Sequence, residues 1–416
     1  MIGKRVEIMI KNLRTLILGT ITLFTIYLYF LSANPTTKTI KIKIIPNMNI
    51  EHEEKEALAY LNSLRKGAGL IPFTSQKNLI LASKNHANYL INNHSIGHYE
   101  ESNRSGFTGT FASQRIAYSG YHTPLVIENV SSHNRNYKES IDGLMAAIYH
   151  RFAFLDFQGD EIGIGINQNS YNKHQTAFVY NMSSHALNQL YFKEDKPSKQ
   201  ALNSALNRYK NKNPKVITYP FDKQEDVPPV FFNELPDPLP NHDVSGFPIS
   251  IAFNQSHFKE IRVLRFELFD KKKRLVKKTK IYNQETDLNK RLNKFSFVLF
   301  PLNRLEWNST YSVTFVAIVD SKMVEKQWSF KTRTYDMPLH KVSNENKTID
   351  VKLNKASLFY FPPRTPKDLL RNVRYSSKFD MKFIDKNTIQ ITPLEKSFLT
   401  THLKIGRHNL KLNIQN

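Results

Sequence analysis

The chain has 416 residues, more than a single hydrophobic core organises, so two to four domains are expected. Its 40% hydrophobic and 12% aromatic content excludes a disordered chain. The absence of cysteine excludes disulfides, thiolate metal sites and cysteine nucleophiles.

The net charge of +23 is unevenly spread. Lys and Arg against Asp and Glu number 7 to 1 over residues 1–50, 11 to 12 over 51–185, and 41 to 23 over 186–416, leaving +6, −1 and +18. A basic surface of that size favours anionic envelope polymers or anionic lipid headgroups through long-range attraction. No nucleic-acid recognition motif accompanies it, and no nucleic acid is expected as a partner.

Lys4, Arg5, Lys11 and Arg14 precede an uncharged apolar run from Leu16 to Ala33, the layout of an export signal. The run is about 18 residues long, enough for a helix to cross a bilayer. Residues 1–35 are therefore expected to be an uncleaved transmembrane anchor with its charged end in the cytoplasm, or else a cleaved signal peptide. In both cases the rest of the chain works outside the cytoplasm. Residues 36–50 read as a tether, with a brief strand-like alternation over Ile40–Ile44.

Residues 51–185 open as a helix from Glu51 to Arg65, with an acidic first turn and Ala57, Leu58, Leu61 and Leu64 at helical spacing. Thr74 or Ser75 is expected to cap a second helix carrying Leu79, Leu81, Ala82, His86, Tyr89 and Leu90. Ser140 to Leu155 reads as a third, with Ile141, Leu144, Met145, Ile148, Phe152 and Leu155 on one face. Strand-like runs follow at Ile162–Ile166 and Ala177–Met182. Helices before short strands predict a layered α and β domain rather than a repeating βαβ fold.

Eight short motifs then stand in order: Leu61-Asn62-Ser63-Leu64-Arg65, Ala68-Gly69-Leu70, Ala82 with His86-Ala87, Gly97-His98, Gly120-Tyr121, Glu128-Asn129, Tyr149-His150-Arg151 and Ile162-Gly163-Ile164-Gly165. In this order they resemble the CAP superfamily, the SCP-like group of cysteine-rich secretory, antigen-5 and pathogenesis-related proteins, in a cysteine-free bacterial form. The resemblance implies an α-β-α sandwich with a cleft lined by two His and two acidic groups. His98 matches the first His, Glu128 the acid of the Glu-Asn motif, and His150 the second His. The second acid has no clean counterpart, though Glu139 and Asp142 lie in the right region.

Two neutral imidazoles and a carboxylate suit Zn²⁺ or a similar divalent ion, so His98, His150 and Glu128 are candidate metal ligands as well as candidate cleft residues. The same trio serves proton transfer without a metal, or simply bonds together and fixes the loops. His86, among apolar neighbours, reads as a satisfied core residue, and His94 as a helix-end group. His122, His133, His174 and His185 are expected in solvated loops, and Glu100 and Glu101 at the surface.

Residues 186–215 are polar and basic and read as a solvated linker, with a short helix over Ser198–Tyr209 as the alternative. From 216 the pattern turns to β. Proline holds 226–240 in extended segments outside central strands. Short strands are expected at Ile249–Phe253, Val263–Leu268, Phe295–Leu299, Tyr311–Val319 and Gln327–Thr332, making 216–335 a β-sandwich similar to Ig-like modules. Runs at Thr348–Leu353, Leu358–Phe361, Thr388–Ile391 and His408–Ile414 make 336–416 a small basic β domain.

The expected protein is thus a multidomain α+β chain of the cell envelope, whose CAP-like domain presents a His/Glu cleft to a ligand, a peptide or a divalent metal. Two rivals stand beside it: a metal-assisted hydrolase with Glu128 as base, and a scaffold acting through its basic β modules. Nucleophile signatures and the His-Glu-x-x-His helix are absent, which favours binding over catalysis. Oligomeric state is left open.

Overall fold

The computed structural model describes residues 37–39 and 46–416, apart from 174, 195, 344–346, 371–372, 398–399 and 407. The expected N-terminal anchor and the Ile40–Ile44 alternation lie outside the described residues. Among those described, no helix is long and apolar enough to cross a membrane. The chain forms two compact units, one spanning 43–336 with 363–369, the other made of 337–362 and 370–416 with the strand at 37–39.

In chain order the first described element is the short strand β1 (Thr37–Thr39). The larger unit begins with α1 (Ile50–Gly67), capped by the Asn49 side chain, which accepts from His52 N, and acidic in its first turn at Glu51 and Glu53. Both features favour a helix start, because they satisfy free N–H groups and oppose the positive end of the dipole. Thr74 and Ser75 form strand β2 (Thr74–Ser75) rather than a cap. The cap of α2 (Lys77–Asn92) is Gln76, whose side chain is long enough to accept from both Asn78 N and Leu79 N.

Next come α3 (Ala112–Tyr118), β3 (Ile127–Ser132), α4 (Tyr137–Ala146) and α5 (Ile148–Phe154). The single helix expected over 140–155 is therefore broken, at Ala147, whose ψ of 113° is extended. Two side chains hold the break, one local and one distant: Arg151 Nε donates to Met145 O at 2.6 Å, and Ile148 N donates to Glu234 Oε1 at 2.9 Å. β4 (Glu161–Gln168) and β5 (Thr176–Ser183) complete a sheet of order β2-β4-β5-β3.

Side chains alternate across that sheet. Ile162, Ile164, Ile166, Phe178, Tyr180 and Met182 pack with Ala57, Leu61 and Leu64 of α1 and Ile141 and Leu144 of α4. Ala177 and Val179 pack on the other face, with Ala87, Tyr89 and Leu90 of α2. Helices thus cover both faces, giving three layers. Gly163 and Gly165 set the spacing on the α2 side, where an added Cβ would lie 2.0 Å from the Leu79 carbonyl carbon and 2.2 Å from that of Ser83. The Ile-Gly-Ile-Gly run therefore puts apolar side chains on one face and lets a helix backbone rest on the other.

The stretch read as a solvated linker is instead two helices, α6 (His185–Lys193) and α7 (Lys199–Lys210). Ala186, Leu187 and Ala205 are buried there with Leu125, Leu190, Leu202 and Leu206 against them. α7 falls where the sequence offers a short helix over Ser198–Tyr209 as the alternative.

The β module has two four-stranded sheets. One runs in the order β12 (Thr279–Tyr282), β13 (Ser296–Pro301), β10 (Ile249–Phe253), β6 (Val216–Tyr219); the other runs β11 (Ile261–Phe269), β14 (Thr310–Val319), β15 (Lys322–Thr332), β7 (Gln224–Val227). They face each other across Phe253, Phe297, Phe266, Phe315 and Trp328, with Phe253 and Phe297 at 5.9 and 6.1 Å from Phe315. The proline-rich stretch stays out of both sheet centres, as expected: β7 is an edge strand, and β8 (Val230–Phe232) pairs only with β9 (Val244–Gly246).

The second unit holds sheets of order β16-β18-β21-β20 and β17-β23-β22, with β1 paired to β19. These strands are β16 (Leu339–Lys341), β17 (Thr348–Lys352), β18 (Ser357–Tyr360), β19 (Arg374–Ser376), β20 (Phe379–Asp385), β21 (Thr388–Pro393), β22 (Thr401–Ile405) and β23 (His408–Gln415). Phe359, Phe379, Met381, Ile389, Leu410 and Leu412 are buried in its core. The four apolar runs read from the sequence coincide with β17, β18, β21 and β23.

Candidate functional site

His98 follows Gly97, which takes a φ of 90° and so accommodates a turn that other residues strain to make. Glu128 is on β3 and His150 is the third residue of α5. The fold brings all three together. The His98 and His150 rings lie 6.4 Å apart between centroids, nearly parallel at 13°, and His98 Nδ1 is 3.0 Å from Glu128 Oε1. The His98 side chain is 43% exposed and that of His150 17%, while Glu128 is 4% exposed. Two reachable imidazoles thus stand over a buried carboxylate.

Glu128 is held from below by Arg115 of α3, whose Nη2 donates to both carboxylate oxygens at 2.8 and 2.7 Å. Arg115 is fully buried and also donates from Nη1 to the carbonyls of Gly109 and Thr110. Burial alone would raise the Glu128 carboxyl, but the His98 hydrogen bond and the Arg115 charge outweigh it and keep it below the usual carboxylate range. Nothing in the sequence around Arg115 marks it as part of the site.

The network continues inward. His86 is fully buried, as expected for a core histidine, with Nδ1 at 2.8 Å from Glu100 Oε1 and Nε2 donating to Gly97 O at 3.0 Å. Glu100 is not at the surface: it is 1% exposed and also accepts from Thr108 N at 2.7 Å. Adjacent Glu101 is exposed, paired with Arg104. Glu100 is buried because His86 and Thr108 supply the hydrogen bonds that a buried carboxylate requires, with the Arg115 charge 3.7 Å away.

His150 has its own carboxylate. Its Nδ1 is 3.0 Å from Glu234 Oε2, 84 residues later in the chain, on the proline-rich segment after β8. Glu234 is 6% exposed, and burial pushes its carboxyl above the ordinary range despite the His150 hydrogen bond. The two acids weighed from sequence are engaged elsewhere: Glu139 with Arg135, Asp142 with Lys138 and Arg333.

The remaining histidines are peripheral. His94 Nδ1 meets Gln175 and His185 Nδ1 meets Glu161, both near the surface; His122 and His133 are exposed, and His174 lies outside the described residues. Among the described residues no group of three or more His, Asp or Glu is arranged around a common point for a metal ion. In both rings of the site Nδ1 is the nitrogen that faces a carboxylate, at 3.0 Å from Glu128 for His98 and 3.0 Å from Glu234 for His150. A neutral ring with Nδ1 turned to a carboxylate can offer Nε2 to a borderline-soft divalent ion.

Residues 58–182 match the family described as CAP, the cysteine-rich secretory protein family. The chain therefore carries a CAP domain, formed by the three-layered part of its larger unit. Three solved structures are each similar to 33% of the chain. An outer surface protein of Borrelia burgdorferi is 20% identical over 33% of this chain and 97% of its own, with a TM-score of 0.28. An extracellular protein containing an SCP domain from Bacillus anthracis is 15% identical over 33% and 44%, with a TM-score of 0.29. A cysteine-rich secretory protein from Staphylococcus aureus is 16% identical over 33% and 41%, with a TM-score of 0.25. A comparison with curated proteins gives no match.

Proposed function

We propose that the chain is an exported envelope protein whose CAP domain is a binding module, taking a divalent cation of the zinc class through His98 and His150. The observation that carries this reading is the paired arrangement of the two rings, each with Nδ1 at 3.0 Å from a buried carboxylate and each partly exposed. Neutral imidazole is a preferred zinc donor, and a carboxylate behind the ring raises its basicity. Water or a group of a further ligand supplies the other donors. Export, with retention at the membrane, is supported by the basic and then apolar run at 4–33.

Binding is favoured here over hydrolysis with Glu128 as base. Glu128 has Arg115 on both oxygens and is kept ionised below the usual range, where a carboxylate takes up protons poorly. Calorimetric titration of Zn²⁺ into the purified chain tests the binding reading. One site per chain is expected, lost in His98→Ala/His150→Ala while the melting temperature is kept. Equal heats in both proteins would remove it.

One observation favours a second role, attachment through the β module. Ten cations stand exposed between 271 and 294 (Lys271, Lys272, Lys273, Arg274, Lys277, Lys278, Lys280, Lys290, Arg291 and Lys294) against Glu285 and the buried Asp287. Arg274 pairs with Asp270, and no ion pair is described for the others. We read this edge as a contact for an anionic envelope polymer. Replacing Lys271, Lys272 and Lys273 by Glu is expected to weaken retention on a polyphosphate-type polyanion at least tenfold at low salt, with the gap closing as salt screens it. Unchanged retention would refute the contact.

A further inference from the structure

The two imidazoles of the site have the same support from different parts of the chain. His98 has Glu128, from the CAP sheet, while His150 has Glu234, from the β module. Glu234 uses both oxygens: Oε2 meets His150 Nδ1 at 3.0 Å and Oε1 accepts from Ile148 N at 2.9 Å. It therefore fixes the ring and the backbone of the turn that presents it. Other seam hydrogen bonds lie on either side, from Tyr149 and Arg151, and the charge of Glu234 reaches both of these side chains. Tyr149 OH donates to Asp287 and accepts from Asn289 Nδ2 at 3.0 Å. Arg151 Nη1 donates to Ser250 Oγ at 3.1 Å and its guanidinium lies over Tyr219 and Phe247. The seam thus has fastenings besides Glu234.

We propose that Glu234 is the positioning residue of His150, so that the binding site is completed by the β module and does not exist in the CAP domain alone. This rests on the reading of His98 and His150 as the binding pair. It supplies the second acidic group that residues 51–185 lack. A carboxylate behind a ligating histidine fixes which ring nitrogen holds the proton, and loss of such partners costs about 10–100-fold in metal affinity.

The test uses the full chain with ¹⁵N-labelled histidine, where long-range proton–nitrogen correlations report the protonated ring nitrogen at about pH 8, above the ordinary histidine range. Wild type is expected to hold the His150 proton on Nδ1. Glu234→Ala removes both acceptors, and Glu234→Gln keeps the side-chain volume but offers one oxygen for two donors. In both variants His150 is expected to lose its Nδ1 preference while His98 keeps its own, with Zn²⁺ affinity falling about 10–100-fold. Tyr149→Phe, which loosens the seam without touching Glu234, is expected to change neither readout. Should Glu234→Ala not fold, the isosteric Glu234→Gln carries the measurement. A His150 that stays protonated on Nδ1 in the folded variants, or that lacks this tautomer in wild type, overturns the proposal. If wild type takes up no Zn²⁺, the reading of the site as a metal-binding pair fails, while the tautomer data still decide whether Glu234 positions His150.

Discussion

Gly163 and Gly165 show how much a missing side chain can specify. Each sits on β4 where the α2 backbone crosses, and a Cβ at Gly163 would fall within 2.2 Å of three backbone atoms of Leu79 and Ile80. Backbone cannot rotate away as a side-chain tip can, so strand and helix must separate. Gly163→Ala is expected to destabilise the larger unit by about 3 kcal/mol or more, the upper part of the overpacking range, as a lowered urea midpoint; a loss within 0.5 kcal/mol, about the scale of a neutral surface change, would show that α2 can shift freely. Both glycines were legible because they alternate with isoleucines. His98, Glu128 and His150 were legible for a similar reason, each standing in a short local signature. Arg115 and Glu234 were not, because their roles come from where α3 and the segment after β8 end up in space. Glu100 was misread for the same cause: its burial depends on His86 and Arg115 arriving beside it.

At the scale of elements, apolar spacing found the helices and strands but not their interruptions. Ile141, Leu144, Met145 and Ile148 keep helical spacing across Ala147, so nothing local marks the extended residue there. Long-range partners decide it, as they decide the fate of Asp142. That carboxylate accepts from Arg333 Nη2 at 2.7 Å and Lys138 Nζ at 2.9 Å, and the same two cations hold Asp226 at 2.7 and 3.0 Å. α4 is thereby joined to β7 and to the end of β15. Burial raises the Asp226 carboxyl, but Arg333 and Lys138 outweigh it and hold it below the ordinary range. A folded value below the unfolded one gives stability that is complete above the unfolded value, about 3.9, and is lost as pH falls through the folded one. Asp226→Asn is accordingly expected to lower the urea midpoint at neutral pH, with the difference from wild type shrinking toward about pH 3. A difference constant with pH would show that the charge of Asp226 is not what stabilises the join.

For the whole molecule, composition placed the change from α-rich to β-rich sequence near 185–216 but gave no sign that the two sides share a core. They do: Phe154, Tyr180 and Ile162 of the CAP domain belong to one buried apolar set with Tyr219, Phe247 and Phe315 of the β module. Ile148 is likewise buried among Phe231, Tyr282 and Phe300. Hydrophobic patterning reports which face of an element is covered and not by which partner, so a boundary in sequence was taken for a boundary in space.

Arg151 carries the sharpest consequence of that shared core. Fully buried, with its pKa brought down to about 9 by desolvation, its guanidinium has the rings of Tyr219 and Phe247 as the near surroundings of its charge. A gene fusion that exchanged residues 216–336 for another module would strand this cation against a surface that never evolved to receive it. The CAP domain of this protein is thereby not portable: cut at the apparent boundary, it would carry a buried cation whose covering rings belong to its neighbour.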